Sequence, residues 1–96
     1  MARPRPRRER TIERTKAFDR DLKRLAKQGK ELDVLGLVIE RLRIGEPLPP
    51  HNRDHALGGD LIGFRDCHVA PDWVLIYALS DEVLFLARAG SHAEVL

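Results

Sequence analysis

Phe18, Leu22, Leu25 and Ala26 stand at i, i+4, i+7 and i+8, an apolar stripe that faces one way on an α-helix. Asp19 and Asp21 near its start and Lys27 at its end suit the helix dipole, and Gly29 breaks it. A second stripe, Leu32, Leu35, Ile39 and Leu42, predicts a helix from about Lys30 to Ile44, with Gly45 where a C-terminal cap belongs. Two short amphipathic helices joined at a glycine read as an antiparallel helical hairpin, and each needs a further surface to cover. Ahead of them, Glu9 to Thr15 carries Thr and Ile in a pattern that suits a short edge strand.

Residues 46–60 lack any period and hold Pro47, Pro49, Pro50, Gly58 and Gly59. A stretch of that length without regular structure inside a small domain is usually functional or disordered. Strand character then takes over in Leu61 to Val69, Trp73 to Leu79 and Glu82 to Ala89, with Pro71-Asp72 and Ser80-Asp81 as turns. Connections this short force the three strands antiparallel. Helices first and a meander after them predict an α+β domain with one sheet face covered by the hairpin.

Ninety-six residues fit one domain with one modest core. The 43% apolar and 33% charged content is that of a soluble globular protein. The longest apolar runs, such as Val74 to Leu79, are far too short to span a bilayer, so no membrane role is expected. The lone Cys67 cannot close an internal disulfide, and the basic N-terminus lacks the apolar segment of a secretory signal. A cytoplasmic protein is expected. The net charge of +2 hides an asymmetry, because residues 1–16 carry +5 and the remainder −3. Such a basic segment either contacts phosphates or is a solvated tail, and Pro4 and Pro6 favour a flexible tail over residues 1–8.

Residues with catalytic potential fall in three places: His51, Asp54 and His55 in the proline-rich loop; Asp66, His68 and Asp72 on and after the first meander strand; and His92 after Gly90-Ser91. Strand alternation puts Phe64, Asp66 and His68 on one face and Arg65, Cys67 and Val69 on the other. An Asp and a His on one strand face are expensive to bury, which marks them as site candidates. Three readings remain open at this point. Histidine pairs suit general acid–base chemistry near neutral pH. His and Asp also ligate metals, yet His51-x-x-x-His55 has helical spacing in a segment bounded by prolines and glycines, and no Cys pair or His-Glu-x-x-His accompanies it. Residue by residue, each also has a structural role open to it as a half-buried histidine, turn former or cap. Ser91 has no nucleophile motif around it, Cys67 reads as a small buried hydrophobe, and Trp73, Leu75, Tyr77 and Leu79 read as one core face.

Three blocks and their spacing narrow the choice. Asp54-His55-Ala56-Leu57-x-Gly59, Gly63 to Val69 with Pro71 to Tyr77, and Arg88-x-Gly90-Ser91-His92-Ala93 together resemble the YafQ branch of the RelE toxin superfamily, from about Phe18 to the C-terminus. The resemblance implies a RelE-like fold, and a toxin of a type II toxin–antitoxin pair that cuts mRNA in the ribosomal A site without metal or other cofactor. Its acid–base set maps onto His55, Asp66, His68, Asp72 and His92. His55 is then the general base and His92 the general acid, though the two labels could be exchanged, and His68 and Asp72 orient phosphate and substrate. Arg65 and Arg88 are candidates for RNA phosphate contact. Leu96 occupies the place where the family often carries an RNA-stacking aromatic. His51 matches nothing in the pattern. The implied partners are a cognate antitoxin, the 70S ribosome with its mRNA, and operator DNA reached through the antitoxin. A RelE-fold protein that binds an antitoxin-like partner or RNA without cutting is the competing reading, since one fold hosts both.

Overall fold

Thr15 closes one element and opens the next. Its extended backbone ends strand β1 (Thr11–Arg14), and its hydroxyl accepts the Phe18 N–H to cap helix α1 (Lys16–Lys27). The same hydroxyl donates to the Ala87 carbonyl at 2.7 Å, which ties the helix start to the sheet. The structure, a computed structural model, describes residues 9–96. The expected basic tail at residues 1–8 lies outside the described residues. After α1 come α2 (Leu32–Ile44), β2 (His55–Ala56), β3 (Arg65–Ala70), β4 (Trp73–Leu79), β5 (Val83–Gly90) and α3 (His92–Val95). Gly45 ends α2 in the left-handed conformation, at φ 81°, as the cap pattern predicts.

The fold is α+β. The sheet order is β1-β5-β4-β3-β2, with β3, β4 and β5 forming the antiparallel meander. The first strand lies at an edge, as expected, but it pairs parallel with β5, so the sheet is mixed. A parallel pair needs a long crossover, and the helical hairpin begins it. Phe18 and Leu25 of α1 and Leu35, Val38 and Leu42 of α2 pack on Cys67, Val69, Trp73, Leu75, Tyr77, Leu84 and Leu86 of the sheet. Strand β4 is buried on both faces from Trp73 to Tyr77, whereas Leu79, expected in the core, is 39% exposed where the strand runs out into the Ser80 turn.

Residues 46–60 are more ordered than their composition predicts. Pro50–Asn52 make a single 3-10 turn, and His55–Ala56 pair antiparallel with β3. Asn52 is buried and donates its Nδ2 to the His68 carbonyl at 2.7 Å. A two-residue strand is too short to show alternation, and proline stiffness with side-chain anchors replaces a periodic apolar pattern. The strand expected from Leu61 starts at Arg65, because Gly59–Leu61 form another 3-10 turn and Gly63 takes φ 94°.

A buried carboxylate completes the β5 edge. Strand β1 stops at Arg14, opposite Leu86, so the Ala89 N–H has no strand neighbour there. Asp21 of α1, 1% exposed, accepts that N–H at 3.0 Å, and also accepts Arg88 at 2.8 and 3.1 Å and Arg24 at 2.7 Å. Burial alone would raise the Asp21 pKa, but the donors Arg88, Ala89 and Arg24 outweigh it and hold the carboxyl below its ordinary value. Asp21→Ala strands two arginines and an N–H, and is expected to lower folding stability by about 3 kcal/mol in urea titrations at pH 7. The native pKa is depressed, so this contribution is full above the unfolded value near pH 4 and disappears as pH falls through the lowered one. The wild-type advantage over Asp21→Ala should therefore shrink in acid; an unchanged gap at pH 2 would contradict the assignment. Burial first, and then Asp54 and Asp66, push the Cys67 thiol up to about 12. Folded protein is accordingly expected to resist alkylation by iodoacetamide at pH 8 and to react fully once unfolded.

Candidate active site

Cys67 and Val69 point into the core, so the pleat turns Asp66 and His68 to the opposite sheet face. His55 lies directly across from Asp66 in the β2–β3 register, which sets both side chains on that face. His92 arrives from the other end of the chain. Gly90 allows the approach: it has φ 152°, and a Cβ there would come within 2.4 Å of Arg24 Nη2. Ser91 then caps α3 in a reciprocal box, its hydroxyl accepting the Glu94 N–H at 3.2 Å while Glu94 accepts the Ser91 N–H at 2.9 Å. Glu94 also takes an ion pair from Arg24 at 3.1 Å, which fastens α3 to α1.

These devices bring His55, Asp66, His68 and His92 together. Asp66 is 1% exposed, and its Oδ2 lies 2.8 Å from His92 Nε2 and 3.8 Å from His55 Nε2. An ionised carboxylate only accepts, so His92 Nε2 carries the proton and Nδ1 is left free. His55 is held the other way. Its Nδ1 donates to the Arg53 carbonyl at 2.7 Å, and its Nε2 faces Asp66. The two imidazoles are half exposed and both turn Nε2 toward one buried carboxylate. Asp66 Oδ1 is buried and has no hydrogen-bond partner among the described residues, so the carboxylate keeps capacity for a further donor. The His68 ring meets His92 edge-on, with centroids 5.5 Å apart.

The remaining candidates lie elsewhere. Asp72 is exposed and ion-paired to Lys30 at 2.5 Å; that hydrogen bond holds its carboxyl below the ordinary value. Arg65 pairs with Asp54 at 3.1 Å, and Asp54 also accepts the buried Tyr77 hydroxyl. Burial, and then Asp54, raise the Tyr77 pKa, so it stays a donor. Arg88 is taken up by Asp21. Leu96 is 55% exposed, one residue beyond α3. Sequence reasoning missed Asn52, the Tyr77–Asp54 link, the Lys30–Asp72 pair and α3 itself. Of these only α3 left a readable signal, the Ser91-x-x-Glu94 capping box. Among the described residues no group of three or more His, Cys, Asp or Glu side chains is placed to hold a metal ion.

The chain is similar to known proteins in sequence and in overall fold. The mRNA interferase toxin YafQ of Escherichia coli (strain K12) is 40% identical over 86 residues, which are 88% of this chain and 94% of that protein. YafQ in the crystal structure of the E. coli DinJ–YafQ toxin–antitoxin complex matches with a TM-score of 0.85 and 38% identity, covering 92% of this chain and 98% of that one. A metal-bound toxin from Helicobacter pylori matches with a TM-score of 0.83 and 45% identity, covering 90% and 98%. The family model for YafQ, the bacterial toxin of type II toxin–antitoxin systems, spans residues 10–96. This chain belongs to the YafQ family of bacterial toxins of type II toxin–antitoxin systems.

Proposed function

We propose that the protein is a ribosome-dependent mRNA interferase that cuts mRNA in the A site by general acid–base catalysis, with no metal in the reaction. The observation that supports it is the pair of imidazoles around the buried Asp66 carboxylate, with His92 Nε2 at 2.8 Å, His55 Nε2 at 3.8 Å and His55 Nδ1 on the Arg53 carbonyl. RNA cleavage of this kind requires one group to take the proton of a 2′-hydroxyl and another to protonate the departing 5′-oxygen. His55 presents an unprotonated Nε2 and takes the 2′ proton. The 2′-oxygen attacks phosphorus, the bond to the 5′-oxygen breaks, and His92 in its charged form delivers the Nδ1 proton to that oxygen. The products are a 2′,3′-cyclic phosphate and a free 5′-hydroxyl. Asp66 sits within 3.8 Å of both imidazoles, so it compensates positive charge on whichever ring carries it.

His68, beside His92, steadies the phosphate. Asp72 and Lys30 border Trp73 and Ser91 outside the proton-transfer cluster, and we assign that ion pair to substrate placement. Arg65 and Arg88 are already matched by Asp54 and Asp21, so RNA phosphates reach them only by sharing those carboxylates. Leu96 offers an exposed apolar contact in place of a stacking ring. On the same reading a DinJ-like antitoxin holds the toxin inactive, the pair reaches operator DNA through the antitoxin, and the site of action is the translating cytoplasm. No helix among the described residues is long and apolar enough to cross a membrane.

Induced expression in a bacterial host, followed by primer extension on an abundant mRNA, tests the proposal. In-frame cuts are expected from the wild type, and His92→Ala should lower the cutting rate by roughly 10²–10⁴-fold. Soluble wild-type protein that leaves both mRNA and growth intact would sink it, and would favour a binding role without cleavage. The metal question is separate. Cutting in a purified translation reaction that holds magnesium should survive 1,10-phenanthroline; loss of cutting that zinc restores would overturn the metal-free mechanism.

A further inference from the structure

A cavity of about 350 Å³ adjoins the catalytic cluster, lined by His51, Arg53, His68, Val69, Ala70 and Pro71. We propose that it is an RNA subsite, holding the nucleotide next to the scissile phosphate, with Arg53 on that nucleotide's phosphate and His51 and the Val69–Pro71 wall against its ribose and base. The inference rests on the acid–base reading above, because His68 belongs to both places.

Four observations carry it. The volume lies in the range of small-ligand sites, and the lining combines an apolar wall with a guanidinium and two imidazoles, as a ring-plus-phosphate ligand requires. Arg53 is exposed, and its guanidinium has no partner among the described residues, in contrast to Arg65 and Arg88. A free guanidinium at the edge of a nuclease site is available to meet a phosphate. Arg53 is also the one non-glycine residue among those described with positive φ, at φ 48° and ψ 44°. An L-residue in that conformation is strained relative to glycine, and such outliers gather at functional sites. The turn aims the Arg53 carbonyl at His55, which accounts for the backbone; a glycine would make that turn more easily, so the side chain needs a reason of its own. Finally, the position is rigid. Asn52 is locked to the His68 carbonyl, and the Arg53 N–H donates to the Pro50 carbonyl at 3.0 Å.

The test separates the side chain from the backbone. The probe is a trinucleotide RNA with a 2′-deoxy sugar at the cut position, so that it binds without being cleaved. Its affinity for the purified protein is read by NMR titration. Arg53→Gly should weaken binding by roughly tenfold and reduce the slope of log Kd against log salt by about 0.7, one phosphate contact on a single strand. Its melting temperature should be no lower than that of the wild type, because the turn is relaxed. Arg53→Lys should recover most of the affinity, and His51→Ala should weaken it several-fold. Wild-type affinity and salt slope in both Arg53→Gly and His51→Ala would overturn the subsite, as would a probe whose shifts avoid His51, Val69 and Ala70. Those results would leave mRNA cutting by the wild type untouched, whereas failure of the acid–base reading would show as absent cutting.

Discussion

The hydrogen bond between His92 and the buried carboxylate of Asp66 is the contact on which the rest of the site depends. It joins the C-terminal turn of the chain to the middle of the sheet, and it does so where burial makes an unpaired charge costly. Asp66 is positioned by its neighbours. Cys67 is held in the core on the other face, so Asp66 has one direction left to point. The two-residue strand β2 then sets His55 across from it in register. One charge thereby organises two imidazoles, which reach it from segments 37 residues apart in sequence.

A second buried carboxylate supports the first at a distance. Asp21 secures Arg24 and Arg88, and Arg24 reaches on to Glu94 in the capping box of α3. The path from the helical hairpin to His92 is thus a chain of charged hydrogen bonds with little apolar packing, since α3 has no buried residue. Such networks are geometrically specific, and they fail together when one member is removed. A four-residue helix has little stability of its own, so the orientation of His92 is borrowed from α1 through Arg24.

The parts of this arrangement differ in how readable they were. Helical periodicity showed where α1 and α2 lie, and Gly45 marked where α2 ends, because apolar spacing and capping are local properties. Alternation in β3 correctly separated Asp66 and His68 from Cys67. Convergence of His55 and His92 was legible only through resemblance, since register and a bulged return strand are not encoded in spacing. Arginines were the least readable. Arg65 and Arg88 look free in the sequence, yet their partners Asp54 and Asp21 stand 11 and 67 residues away. His51 was set aside there as outside the family pattern and Arg53 drew no attention, because a cavity formed by a proline-stiffened loop against the end of β3 leaves no periodic trace.

On the proposed mechanism Asp66 fixes the proton position on His92, and ¹⁵N-detected NMR of the neutral imidazoles reads the protons of both histidines directly. His92 is expected to carry its proton on Nε2 and His55 on Nδ1, and Asp66→Ala to release His92 to a mixture of tautomers while His55, held by the Arg53 carbonyl, keeps its own. A wild-type His92 protonated on Nδ1, or a tautomer indifferent to the loss of Asp66, would contradict it.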